Sequence, residues 1–221
     1  MTRLYKFPRW AAIMYDRNAS RSRGILSKAY ETIIDDADVP RFINSGKILD
    51  IGCGPGHLSL MIAESSVNND VTGVDYASAM VAIASRRAHE AGLVHRLHFK
   101  QGNVLSLPFP SESFDLIISS FSVHEWPSVD VAIGEVLRVM KTSGIALLFD
   151  APPSIPKDAY RQLKTEVGWF DAYFMKTITG SCKATWMKIE SFLKSIGEKV
   201  RFSFSPVSSY IQKLYIAKQK P

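Results

Sequence analysis

Apolar and polar positions along this chain alternate between a strand-like and a helix-like period. From residue 46 onward, short apolar runs are separated by stretches of helical spacing. Lys47–Ile51 predicts a strand that ends in Gly-Cys-Gly-Pro-Gly, and His57–Ser65 predicts the helix after it. Val71–Val74, closed by Asp75, predicts a second strand, and alanine-rich Ser78–Ala91 a helix stopped by Gly92. Leu97–Lys100, Phe114–Ser119 and Ile145–Phe149 predict three more strands. A helix over Val129–Met140 has apolar residues at 129, 133, 136, 137 and 140. Five short apolar strands alternating with helices imply a parallel sheet covered on both faces, hence an α/β fold. Beyond Pro156 the pattern changes. Two helical stretches, roughly 157–176 and 183–196, precede strands over Lys199–Ser205 and Tyr210–Lys218. The intervening Pro206–Ser209 is too short for a parallel crossover, so these two strands should form an antiparallel hairpin. Residues 1–45 contain one helix, from about Ser22 to Ala37. No repeat, linker or low-complexity tract divides the chain. It reads as one domain over residues 1–221: a helical cover (1–45), a core (46–150), further cover helices (151–197) and a C-terminal hairpin (198–221).

Composition narrows the class. The 221 residues are 46% hydrophobic and 22% charged, which excludes a disordered chain, a collagenous repeat and a coiled coil. No uncharged apolar run reaches the length of a membrane span. Two cysteines, Cys53 and Cys182, are too few for a disulfide scaffold or a cysteine-rich zinc site. They suit a reducing compartment, and a cytoplasmic location is expected. The net charge of +6 is unevenly placed: +6 over residues 1–30, −7 over 31–156 and +7 over 157–221. Basic ends of this kind suit nucleic acid, anionic lipid or an acidic substrate, and equally a solvated surface. Residues 1–30, with five Arg, three Ser and one acid, have some character of an organellar presequence. Pro8 and Asp16 interrupt it, and the segment is read as part of the fold.

The informative stretch is Ile48-Leu-Asp-Ile-Gly-Cys-Gly-Pro-Gly-His57. It runs from a strand through glycines into a helix. There the backbone can approach a ligand closely, and free N–H groups at the helix start can receive one. A dinucleotide site needs G-x-G-x-x-G, but the third position here is His57. No G-x-x-x-x-G-K-[ST] exists either, which removes a P-loop. The pattern is instead Asp50-x-Gly52-x-Gly54-x-Gly56. With Asp75 closing the second strand, Gly102-Asn103-Val104, Leu107-Pro-Phe109, Phe114–Ser119, and Glu135-Val-Leu-Arg138 with Gly144, the sequence resembles the class I S-adenosylmethionine (SAM) dependent methyltransferases. It is most similar in feel to their type-11 small-molecule subgroup, which resembles the quinone-biosynthesis and sterol methyltransferases. The resemblance covers residues 46–150.

That resemblance implies a Rossmann-like seven-stranded sheet of order 3-2-1-4-5-7-6, with strand seven antiparallel and helices on both faces. It implies SAM as cofactor, S-adenosylhomocysteine as product, and residues 46–150 as the SAM-binding core. Asp50, Gly52, Cys53, Gly54 and Gly56 would hold the methionine part, with the Asp50 carboxylate suited to its ammonium. Asp75 would accept from the ribose hydroxyls. Tyr76 and Met80 would flank the adenine, although Met80 is equally suited to a helix core. Asn103 and Val104 stand where the family has Gly-Asp-Ala; Asn103 keeps an oxygen acceptor, or caps a turn. Ser119 would border the site at the end of the fourth strand.

Methyl transfer from a sulfonium is an in-line displacement with a good leaving group, so the protein mainly positions the nucleophile and removes a proton. Candidates come from the loop after the fourth strand, Ser119-Ser-Phe-Ser-Val-His124-Glu125-Trp126. His124 is the candidate general base, titrating near neutrality; its alternative is a loop-capping histidine. Glu125 suits a solvated acid, and Trp126 a pocket wall or a wedge beneath the loop. Asp150-Ala-Pro-Pro153 resembles an amino-methylating motif but follows the fifth strand, so it is set aside. His57, His89, His95 and His98 lack metal-ligand spacing, no metal is expected, and Cys182 reads as a buried thiol.

The basic, aromatic ends should cover the acceptor: Tyr5, Phe7, Trp10 and Tyr15 at one end, Trp169, Phe170, Tyr173 and Phe174 at the other. Arg17, Arg21, Arg23, Lys157, Arg161 and Lys164 would favour an aromatic or lipidic small molecule with an acidic group. Two alternatives stand beside this reading. One is an RNA methyltransferase, with bases stacked in a basic groove. The other is a SAM-binding scaffold subunit without turnover. Oligomeric state is not legible.

Overall fold

The structure, a computed structural model, describes Asp16 and residues 25–36 and 46–219. Its centre is one seven-stranded sheet of order β3-β2-β1-β4-β5-β7-β6. The strands are β1 (Lys47–Ile51), β2 (Asp70–Asp75), β3 (Leu97–Gln101), β4 (Phe114–Ser120), β5 (Met140–Asp150), β6 (Val200–Ser208) and β7 (Ile211–Lys218). β1 to β5 pair in parallel, and β7 runs antiparallel to both β5 and β6. The expected order and the antiparallel seventh strand are both present. The helices are α1 (Ile25–Ile34), α2 (His57–Ser65), α3 (Ser78–Glu90), α4 (Val129–Val139), α5 (Lys157–Val167) and α6 (Trp169–Ile196).

Hydrophobic burial on both faces explains the continuous apolar strands. Ile48, Leu49, Leu116, Ile117, Ile118 and residues 146–149 are fully buried. These are the positions a sheet sandwiched between helices keeps dry. On α1 the buried residues are Ile25, Leu26, Ala29, Tyr30 and Ile33, one apolar stripe at helical spacing.

Three boundaries differ from the sequence expectation. β5 begins at Met140, five residues before the apolar run, because the register shifts between Phe114 and Leu116 of β4 and lets the turn join the sheet. The hairpin turn is shorter than Pro206–Ser209, since β6 continues through Pro206 to Ser208. Proline is tolerated there because β6 is an edge strand with an irregularity at that point. The two expected helices after Pro156 break at Gly168, whose φ of +90° no other residue type adopts easily, and not between 176 and 183. The second is one continuous helix, held by a buried stripe of Met175, Ile178, Cys182, Trp186, Ile189 and Leu193.

Helix α6 packs on α4, α5 and the 3-10 turn Val123–Glu125. α1 reaches the same region: the Ile25 N–H donates to Asp171 at 3.4 Å and the Lys28 ammonium to the Glu166 carbonyl at 3.3 Å. Helix α1 and the insertion after β5 therefore meet. The termini of the expected first helix at Ser22 and Ala37 lie outside the described residues. So do Tyr5, Phe7, Trp10, Tyr15, Arg17, Arg21 and Arg23, and the side chains of Phe170 and Phe174.

Candidate active site

The carboxyl ends of β1, β2, β4 and β5 lie along one edge of the sheet, and strand order reverses between β1 and β4. Open α/β sheets bind ligands at such a switch point. After β1 the chain turns through Gly52–Gly56 into α2. The N–H groups of Gly52 and Cys53 both donate to the Val74 carbonyl, at 2.8 and 3.1 Å, which folds the turn over β2. Gly52 has φ +71°, and a Cβ there would lie 2.4 Å from Ser122 Oγ. No side chain fits, because the loop after β4 is pressed against this turn. Gly56 N-caps α2 in the left-handed region.

Asp50 lies beneath this turn, 1% exposed. Its Oδ2 accepts from Ser59 Oγ at 2.5 Å, whereas its buried Oδ1 has no partner among the described residues. Burial pushes its carboxyl up to about 7, against the Ser59 hydrogen bond, and the charge of Asp75 adds to the rise. A buried acceptor left open is costly unless a ligand or a proton completes it.

Asp75 braces the turn. Its Oδ2 accepts from the Gly54 N–H at 2.9 Å and its Oδ1 from the Ala77 N–H at 2.8 Å. Each carboxylate oxygen keeps a further lone pair, so ribose hydroxyls can still be received. Burial raises the Asp75 carboxyl, and these two backbone N–H groups oppose the rise. Tyr76 is 40% exposed and Met80 is buried, so an adenine could reach only the first of them at the surface. Asn103 Oδ1 accepts from the Leu105 N–H at 3.0 Å, the turn role that was the alternative to base recognition. Val104 packs partly buried against the core. Cys53 is buried, and desolvation holds its thiol well above the usual range.

Ser119 is fully buried, with its Oγ 2.7 Å from Ser122 Oγ, and Ser122 Oγ also donates to the Ile51 carbonyl at 3.2 Å. This pair locks the β4 loop to the glycine turn. Two residues on stands His124. Its Nδ1 lies 2.9 and 3.0 Å from the two oxygens of Asp150, and its backbone N–H donates to Asp150 Oδ2 at 3.0 Å. Burial works against charging His124. The hydrogen bond to Asp150 and the charges of Asp150 and Glu125 outweigh it, and the imidazole sits above its usual range. Glu125 is exposed, and Trp126 is buried beneath the loop as a wedge.

Asp150 is the residue sequence reasoning missed. It is fully buried at the end of β5 and also accepts from the Ala151 N–H at 2.8 Å and from Cys182 Sγ at 3.3 Å. An acid closing a dry apolar strand at the ligand-binding edge was the available signal, the same one that marks Asp75 on β2. Asp16 was missed as well. It lies 3.1 Å from His57 Nε2 and 2.7 Å from an Arg87 nitrogen, and Arg87 also holds the Pro55 carbonyl of the glycine turn. His57 is thereby part of the turn's support.

Strand order, the antiparallel β7, the glycine turn and the acid after β2 together define the class I methyltransferase fold. A crystal structure of a protein assigned as a SAM-dependent methyltransferase from Methanococcus maripaludis superposes with a TM-score of 0.78. That match covers 98% of this chain and 96% of the other at 23% identity. A family model described as a methyltransferase domain matches residues 48–144. The chain has the fold of the class I SAM-dependent methyltransferases, and its residues 48–144 match a methyltransferase-domain model. The demethylmenaquinone methyltransferase of Thermus thermophilus is 36% identical over 114 residues, 52% of this chain and 50% of that protein. An uncharacterized methyltransferase of Bacillus subtilis, YcgJ, is 43% identical over 104 residues, 47% of this chain and 40% of that protein. The chain thus spans about half of the length of the curated relatives it matches, or less. The open Asp50 Oδ1, the turn no side chain can enter, and the lone pairs left on Asp75 fit SAM. No described helix is long and apolar enough to cross a membrane.

Proposed function

We propose that this protein transfers a methyl group from SAM to a small-molecule acceptor, with His124 as general base and Asp150 as the residue that positions it. The observation that carries this reading is the His124–Asp150 pair at 2.9 and 3.0 Å, on a loop whose Ser122 abuts Gly52. A buried carboxylate on Nδ1 fixes the proton there and leaves Nε2 as the acceptor. His124 is 11% exposed at its side chain, enough for Nε2 to meet a substrate hydroxyl and too little for bulk water to compete. Bound SAM would supply an electrophilic methyl on a sulfonium. The chain's own residues do the rest. Asp50 receives the ammonium, Asp75 the ribose, and the glycine turn admits the cofactor backbone closely. His124 takes the acceptor's proton as its oxygen or carbon becomes nucleophilic, and Asp150 stabilises the imidazolium that results.

A base of this kind suits an acceptor that must lose a proton, a ring hydroxyl or an acidic ring carbon. Similarity to demethylmenaquinone methyltransferases supports an acceptor of the quinone class. The surface near the cover supports one that is aromatic and acidic. Trp169 and Tyr173 are 73% and 62% exposed. Lys164 and Lys176 sit over the Tyr160 ring at 4.8 and 5.5 Å. Two free buried cysteines support a reducing, cytoplasmic setting. The test is transfer of label from methyl-labelled SAM to a panel of hydroxylated quinones, other phenols and RNA. Label on a ring-hydroxylated acceptor, lost in His124→Ala, supports the reading. Transfer to RNA alone, or undiminished transfer in His124→Ala, overturns it.

A further inference from the structure

His124, Asp150 and Cys182 come from three separate elements, yet their ligating atoms all lie within 4.8 Å of one another. Asp150 Oδ1 is 3.0 Å from His124 Nδ1 and 3.3 Å from Cys182 Sγ. Around a tetrahedral Zn²⁺ the corresponding oxygen–nitrogen and oxygen–sulfur edges are about 3.3 and 3.5 Å. Along these two edges the cluster needs only a few tenths of an ångström of expansion, and the third, imidazole–thiol edge lies within 4.8 Å. The donor set, one thiolate, one imidazole and one carboxylate, is the one zinc and other thiophilic divalent cations prefer.

We propose that these three residues form a binding site for a thiophilic divalent cation, and that its occupancy switches off the base. The second half rests on the methyltransferase reading above. A divalent cation with the Cys182 thiolate and the Asp150 carboxylate is neutral, so the occupied site buries no net charge. His124 gives the partly exposed side from which an ion can enter, and the fourth coordination position falls to water or a substrate atom.

The proton count defines the switch. On binding, the Cys182 thiol loses its proton to solvent as sulfur bonds the metal. The metal takes the Nδ1 lone pair, so the proton of neutral His124 resides on Nε2. Nε2 then donates where it had accepted, and it can no longer remove a proton from an acceptor. Asp150 exchanges the two side-chain hydrogen bonds for a metal bond and keeps its backbone partners at His124 and Ala151.

The test titrates chelator-treated full-length protein with Cd²⁺, following thiolate-to-metal charge-transfer absorption, and in parallel follows methyl transfer with Zn²⁺. The expected result is a charge-transfer band saturating at one Cd²⁺ per chain. The band should be lost in Cys182→Ser and weakened at least tenfold in Asp150→Asn, and it should persist in Cys53→Ser. Circular dichroism of each variant confirms folding. Zn²⁺ should lower wild-type transfer at least tenfold, reversibly with chelator, while the ratio with and without Zn²⁺ stays near one in Cys182→Ser. Absence of the band, or its persistence in Cys182→Ser, overturns the site. A band without inhibition overturns the switch. A band in a protein that methylates none of the acceptors overturns the methyltransferase reading and supports the metal site.

Discussion

The role proposed for the buried Asp50 carboxyl makes cofactor binding depend on pH in a way that can be worked out beforehand. The perturbation is Asp50→Asn. In the free protein the Asp50 carboxyl sits near 7, raised by burial, and its Oδ1 has no partner among the described residues. A ligand ammonium that uses this oxygen requires the ionised form, so its binding must displace the proton. At pH 7.5 about three quarters of the molecules are ionised, and at pH 5.5 about 3%. Affinity for S-adenosylhomocysteine should therefore fall about 25-fold between these two values, or about 1.9 kcal/mol, and level off above pH 8. Asp50→Asn should bind more weakly at pH 7.5 and lose this slope, since the group that titrates is gone. Isothermal calorimetry at half-unit pH intervals measures both chains, and the variant subtracts any titration of the ligand itself. Stability provides a second readout. Between about pH 4 and 7 the native state holds a proton the unfolded chain has released. Stability should thus fall as pH rises through that window, by up to about 4 kcal/mol, and this slope should vanish in the variant. A wild-type affinity that changes less than twofold from pH 5.5 to 7.5, or the same slope in Asp50→Asn, would refute the reasoning.

Other consequences are equally direct. Asp150→Asn should leave S-adenosylhomocysteine affinity within about twofold and lower kcat by about 10²-fold or more, because the amide no longer fixes the His124 tautomer; a loss of affinity with kcat intact would contradict this. Asp75→Ala removes acceptors for the Gly54 and Ala77 N–H groups. Calorimetry should show cofactor binding weakened by about 10- to 100-fold. Gly52→Ala should destabilise the fold by about 1–3 kcal/mol in denaturant titration. Ser122→Ala should not rescue it, since the Ser122 Cβ lies 2.5 Å from the new methyl group, whereas Ser122→Gly should recover part of the loss.

Much of the architecture was legible because it is local. A strand buried on both faces needs a continuous apolar run, as in Ile145–Phe149, and a turn pressed against another loop needs glycine, as at Gly52. Asp75 could be read because an acid two residues before a helix N-terminus can brace a glycine turn within its own βα unit. The continuity of α6 was harder to see. Thr177–Gly180 has weak helix propensity, and its helical state rests on burying Ile178 and Cys182 against the core. The Met175-to-Leu193 stripe carried that information, but only as a buried face.

The proposed base and its partner belong to the other kind of information. His124 and Asp150 are 26 residues apart, and Cys182 lies 32 beyond Asp150. They meet because β4 and β5 pair in parallel, with Ser120 beside Phe149, so that the loop after one strand faces the last residue of the other. Helix α6 then lays its buried stripe over that edge. By itself the sequence determined the alternation of elements, the glycine turn and the acids at the ends of β1 and β2. Each of those depends on backbone geometry and burial within a few residues. Only the tertiary structure decided that Ser122 closes on Gly52, that Asp150 holds His124, and that a thiol completes the cluster. Strand order and register set those contacts, and they leave no periodic trace in the chain.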